Sequence, residues 1–153
     1  MVFVVAGANA SRISSVVFAQ GASLVENAHP ERGQFSSLQA GLQAVLSHGR
    51  DAAVVTLVDR PPVLPATLQH LLAAFERTLE ARKWAVIPEF GGRHGHPIVV
   101  AREMIEAFLR APAESNAREV EHSHPAFIDY VAVQDPSITL NVDTPEDYAA
   151  LSA

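Results

Sequence analysis

The chain has 153 residues, 48% of them hydrophobic and 18% charged, which suits one globular domain of ordinary composition. A formal charge of −6 argues against a general nucleic-acid binder, and there is no cysteine to form disulfides, thiolate nucleophiles or Cys-based zinc sites. No apolar run approaches the roughly 20 residues needed to cross a bilayer, and residues 1–7, with neither a basic segment nor a long apolar one, do not read as a signal peptide; with no cysteine, cytoplasm is the default compartment.

In chain order, Val2 to Ala6 is a continuous apolar run closed by Gly7, as in a buried strand. Ser11 to Gln20 reads as a short helix with Ile13, Val16 and Val17 inward, and Ser23 to Glu26 as a short strand. Ser36 to His48 is helical in pattern, opened by a serine and followed by Gly49. Ala52 to Val58 is apolar almost throughout and stops at Asp59-Arg60-Pro61-Pro62, where prolines end a ladder. Ala66 to Arg82 carries Leu68, Leu71, Leu72, Phe75 and Leu79 on one stripe. Trp84 to Pro88 and Pro97 to Ala101 are two more strands around the loop Glu89 to His96, and Arg102 to Arg110 is a helix. Residues 111–125 are polar, with one helical turn near Ala117 to Glu121. Phe127 to Val133 alternates as a strand, and Ile138 to Val142 reads as another. Thr144, Pro145, Glu146 and Asp147 are start signals for a closing helix. This alternation implies an α/β fold with a mainly parallel, Rossmann-like sheet and helices on both faces. In such sheets ligands bind beyond the carboxyl ends of the strands.

Asp59, at the end of an apolar strand, suits a magnesium ligand, since Mg²⁺ favours one or two carboxylates plus substrate phosphates. A turn aspartate bonded to a neighbouring N–H is the plainer alternative. In Gly91-Gly92-Arg93-His94-Gly95-His96-Pro97 the glycines permit tight turning and close approach to a ligand. Arg93 can grip phosphate or carboxylate, and His94 and His96 can donate to a ligand or bind a metal; a strand-to-strand connection with two locally bonded imidazoles is the alternative. Asp143 is not explained by the helix-start signal that surrounds it, and two carboxylates from separate strand ends would hold one divalent ion. Asn27 to Leu38 leads into a helix N-terminus whose free N–H groups could meet a base or a phosphate, although a loop with a serine cap is the plainer reading.

Taken in order, the run Asn27…Arg32-Gly33-Gln34…Ser36-Ser37-Leu38, then Val58-Asp59-Arg60-Pro61, then Gly92-Arg93-His94-Gly95-His96-Pro97, then Asn141-Val142-Asp143-Thr144-Pro145-Glu146-Asp147 resembles the nucleotidyltransferases of the molybdenum-cofactor cytidylyltransferase and guanylyltransferase type. The resemblance implies a nucleotide-diphospho-sugar transferase-like fold over residues 1–153. It implies transfer of a nucleoside monophosphate from CTP, GTP or another NTP to a small phosphorylated acceptor such as molybdopterin, with Mg²⁺ and with release of pyrophosphate. It assigns Asp59 and Asp143 to catalysis and to the metal. It places Ser36 and Ser37 by the nucleobase, and Arg93, His94 and His96 by the acceptor. Neither nucleic acid nor membrane is an expected partner.

The family begins with a strand and a glycine-rich loop followed by a lysine. Here the chain matches from the family's second strand, and Gly7 to Arg12 corresponds to the turn after it. Lys83, the only lysine, is a poor substitute at the far end of a helix. An N-terminally truncated domain, a partner chain or homo-oligomer that completes it, and a catalytically inactive nucleotide- or cofactor-binding relative all remain open. A metal-dependent phosphoesterase using Asp59, His94, His96 and Asp143 has suitable side chains but follows no hydrolase spacing.

Overall fold

A computed structural model describes residues 1–151, which form two compact units: residues 1–53 with 102–124, and residues 54–101 with 125 onward. In the first unit, β1 (Phe3–Ala6) and β2 (Ser23–Glu26) form a parallel pair joined through α1 (Ala10–Ala19). α2 (Gln34–Ser47) packs against both strands, α4 (Arg102–Arg110) packs on α2, and α5 (Ala117–Ser123) packs on α4. Phe35 meets Phe108 edge to face, beside buried Leu42, Met104 and Ile105. Gly41 lets α2 lie close to β1, because a Cβ there would fall 2.8 Å from a Val5 methyl. The Gln39 amide closes the end of α4 by donating to the Phe108 and Ala111 carbonyls at 2.9 and 3.2 Å. Val16, expected inward on α1, is 64% exposed; Val17 alone of the expected trio is buried.

The second unit holds α3 (Pro65–Glu80), β4 (Ala85–Phe90), β5 (Arg93–His94), β6 (Ile98–Ala101), β7 (Ile128–Ala132) and α6 (Pro145–Ala150), while β3 (Ala52–Val55) runs across the division. The sheet order is β3-β6-β4-β5, with β7 beside β4. β4 and β7 are parallel, but β6 and β5 run antiparallel to β4. The sheet is therefore mixed and not the mainly parallel Rossmann-like array expected from the alternation of strands and helices. β1 pairs only with β2, and β3 ends its sheet, so each has one edge without a strand partner among the described residues.

The core of this unit is Leu71, Ala74 and Phe75 from α3 against Val86, Val99, Ala101, Val133 and Ile138. Two strand expectations are corrected. β3 stops at Val55, not Val58, and Val58 is fully exposed. Residues 136–139 form a 3₁₀ turn in place of the start of a strand, with extended backbone only from Leu140. Pro136 favours that turn, and the Asp135 carboxylate caps it through the Ser137 N–H at 3.0 Å. The closing helix is as expected: Thr144 and Asp147 complete a reciprocal capping box. No helix among the described residues is long and apolar enough to cross a membrane.

Asp135 is 1% exposed and ties the start of α3 to the 3₁₀ turn. Besides Ser137 it accepts from the Leu64 N–H at 2.9 Å and the Thr67 hydroxyl at 2.8 Å, at the start of α3. Burial pushes its pKa up, but these donors outweigh burial and hold it below the ordinary aspartate value. Asp135→Ala strands three donors and is expected to cost about 2–3 kcal/mol in urea unfolding. An unchanged midpoint would refute that role. Glu121, in α5, shows the reverse: burial pushes its pKa up from 4.5 to about 7, with Arg118 opposing. Because its folded pKa is raised, it favours the fold below pH 4.5, and that contribution is lost as pH rises to about 7. Glu121→Gln is expected to raise the melting temperature at pH 8 by roughly 2–4 °C, with the gain shrinking as pH falls towards the unfolded value. A gain equal at both pH values would contradict this.

Candidate functional site

Three segments of the second unit meet: the one that follows β3, the one that follows β7, and the one between β5 and β6. After β3 the chain turns at Leu57 to Arg60, with the Arg60 N–H on the Leu57 carbonyl at 3.2 Å. The Asp59 carbonyl then accepts the Val142 N–H at 2.8 Å. Asp59 and the residue preceding Asp143 are thus in direct backbone contact. The Arg60 Nη1 donates to the Leu140 carbonyl at 3.0 Å. From the third segment, the His96 N–H donates to the Ile138 carbonyl at 2.9 Å. Gly95 is required there by the chain itself, since a Cβ would lie 2.1 Å from the Ile138 oxygen. The close approach that its sequence position suggested for a ligand is made to residue 138.

Two buried polar atoms in this assembly have no hydrogen-bond partner: Asp59 Oδ1 and Arg60 Nε. A buried carboxylate oxygen without a donor is costly, and a cation is the group that best satisfies it. Asp143 is exposed; its N–H, with that of Thr144, is held by the Asp147 carboxylate at 3.1 and 2.9 Å. No group of three or more His, Cys, Asp or Glu side chains among the described residues could hold a metal. Asp59, His94, His96 and Asp143 therefore do not form the cluster a phosphoesterase centre would need. Two carboxylates with phosphate oxygens remain a sufficient set for magnesium or manganese.

His96 is half-buried, with Nδ1 3.5 Å from the Val55 carbonyl, a distance too long for a strong bond. Burial lowers its pKa; the Val55 carbonyl opposes this, Arg60 lowers it further and Asp59 opposes. The ring is therefore neutral at pH 7 and offers one donor and one acceptor.

Arg93 and His94 occupy a different setting. The register Phe90–Arg93 leaves a two-residue loop, Gly91-Gly92, with φ of 57° and 73°. Positive φ at both positions is the requirement of a tight hairpin of the I′ kind, which accounts for these two glycines. Arg93 is exposed on that hairpin. The His94 ring stacks on Tyr130 at 4.1 Å, and its Nε2 lies 3.4 Å from Glu89. Lys83 is paired with Asp129 at 3.0 Å, where Thr78 also donates.

In the first unit, buried Asn27 organises the expected nucleobase segment. Its Nδ2 donates to the hydroxyls of Ser36 and Ser37 at 2.8 and 3.0 Å, and its Oδ1 accepts the His29 N–H at 2.9 Å. The Ser36 hydroxyl faces the carbonyls of Gly33 and His29. Asn27 and Arg60 escaped notice as individuals, although each lies inside a stretch that stood out; Asn before a Pro-Glu-Arg-Gly turn was the available signal for Asn27.

His96 carries a pH signature. Its folded pKa lies below the ordinary value, so its contribution to stability is present above about pH 6.5 and is lost as pH falls below that, when the unfolded chain takes up the proton more readily. His96→Gln is expected to flatten the loss of stability on the acid side of pH 6.5. Parallel pH profiles for the two proteins would rule this out.

Residues 1–127 match the family model described as "MobA-like NTP transferase domain". No curated protein matches the chain. Among solved structures, the Rv0371c protein of Mycobacterium tuberculosis H37Rv is 25% identical, with 97% of this chain and 74% of that one covered and a TM-score of 0.71. Its complex with manganese gives 27% identity, coverage of 97% and 76%, and a TM-score of 0.70. Molybdopterin-guanine dinucleotide biosynthesis protein A from Archaeoglobus fulgidus shares the fold at 20% identity, coverage of 95% and 75%, and a TM-score of 0.66.

Proposed function

Since this chain belongs to the MobA-like NTP transferase domain family, we propose that it transfers a nucleoside monophosphate from CTP or GTP to a phosphorylated acceptor such as molybdopterin. An acceptor phosphate oxygen attacks the α-phosphorus. The bond from that phosphorus to the α,β-bridging oxygen breaks, and pyrophosphate leaves with the electron pair. The observation that carries the proposal is the Val142–Asp59 backbone bond beside the unpartnered Asp59 Oδ1.

Asp59 and Asp143 are the residues that would hold a divalent ion, Mg²⁺ in the first instance. The manganese complex of the mycobacterial relative supports a divalent metal. Such an ion, when bound, offsets the charge that accumulates on the phosphates during in-line displacement. His96, neutral and half-buried, would orient the acceptor by hydrogen bonding, with Arg93 pairing its phosphate and His94 beside it. Ser36 and Ser37 would meet the nucleobase, their hydroxyls fixed by Asn27.

Pyrophosphate release with each NTP, Mg²⁺ and molybdopterin tests the reading. Asp59→Ala is expected to lower the rate by about 10²-fold or more while the protein stays folded. Absence of pyrophosphate from the wild-type protein with every NTP would remove the proposal of catalysis.

A second reading, nucleotide binding without turnover, is favoured by one observation: Lys83 is engaged with Asp129, so a triphosphate would have to compete with that carboxylate for it. It expects CTP or GTP with Mg²⁺ to raise the melting temperature while no pyrophosphate appears. A melting temperature unmoved by any nucleotide would exclude it.

A further inference from the structure

Residues 138, 140 and 142 are each held by one hydrogen bond from a neighbouring segment. The Ile138 carbonyl takes the His96 N–H, the Leu140 carbonyl takes Arg60 Nη1, and the Val142 N–H reaches the Asp59 carbonyl. The outer two are backbone bonds. The middle one is made by a side chain for a clear reason: Pro61 and Pro62 follow Arg60 and have no N–H to donate. The Arg60 guanidinium reaches a residue 80 positions away and supplies the donor that the prolines cannot. It does so although its Nε is buried without an acceptor, a cost that a freely placed surface arginine would avoid by turning to water.

We infer that Arg60 is the positioning residue of the acidic pair, holding the Leu140–Asp143 segment in register against Asp59 through the Leu140 carbonyl. The inference rests on the reading of Asp59 and Asp143 as carboxylates for a divalent ion. Arg60 touches neither substrate nor ion in this role. It fixes where Asp143 stands relative to Asp59, and loss of such an outer support commonly weakens metal binding. Its charge alone has the opposite effect, because removing a cation beside the site favours binding of another cation. The two roles therefore differ in sign.

Manganese alone, titrated into the intact protein and followed by the electron paramagnetic resonance of free Mn²⁺, separates them. Arg60→Met is expected to weaken Mn²⁺ binding roughly tenfold, and Arg60→Lys, which keeps a charge and a donor, to recover part of the loss. Amide exchange at Val142 should accelerate in Arg60→Met, with that at Val86 in the core unchanged. Equal or tighter Mn²⁺ binding by Arg60→Met overturns the inference. So does faster Val142 exchange with unchanged affinity, which would make Arg60 a strut for the backbone alone. Failure of the wild-type protein to bind Mn²⁺, or unchanged binding by Asp59→Asn, overturns the metal reading instead; the register role of Arg60 is then decided by Val142 exchange.

Discussion

The hydrogen bond between the Val142 N–H and the Asp59 carbonyl is the contact on which the geometry of the second unit's candidate site depends. Asp59 and Asp143 are far apart in sequence, and only a return of the chain across the ends of the strands brings them near one another. That return is determined at three points. Asp135, buried and triply bonded, sets where the segment leaves β7. Gly95 sets how closely it passes the loop before β6. The Asp59 carbonyl sets where it ends. A carboxylate oxygen left buried and unpartnered beside that junction is an arrangement that folding alone does not favour. Its cost fits a group selected for something other than stability.

Much of the architecture was legible because apolar periodicity and end signals agreed. The helix over 102–110 and the capped closing helix follow from that agreement, as do the strands around Ala85 and Ile98. The parallel assignment went astray at the connection between those two strands. The residues between β4 and β6 are too few for a crossover, which needs a dozen or more, so an antiparallel pairing was the only geometry available. The turn over 136–139 was hidden because Ile138, Leu140 and Val142 alternate like a strand, a pattern that outweighed the local start signal of Asp135 before Pro136.

The site was legible to a different degree. Asp59, His96 and Asp143 stood out by type and by position at strand ends. What a single sequence does not display is which partner each will have. Asp135 and Arg60 act on residues 71 and 80 positions away, and no local pattern encodes such pairs. Gly91, Gly92 and Gly95 were visible as a group, yet they divide by cause: two serve a hairpin turn and one a close backbone passage. Family membership supplies the reaction class, and residues particular to this chain decide how the segment from Ile138 to Val142 lies against Asp59 and Arg60.

The ion pair between Lys83 and Asp129 has a practical consequence for chemical labelling. With one ε-amine in the whole chain, an acylating reagent has a single side-chain target, and that target is half-shielded and already charge-matched. Acylation there removes the positive partner and leaves the Asp129 carboxylate with the Thr78 hydroxyl alone. Peptide mapping by mass spectrometry would separate this adduct from one on the Met1 α-amine, making reagent uptake at Lys83 a direct gauge of how often the pair opens.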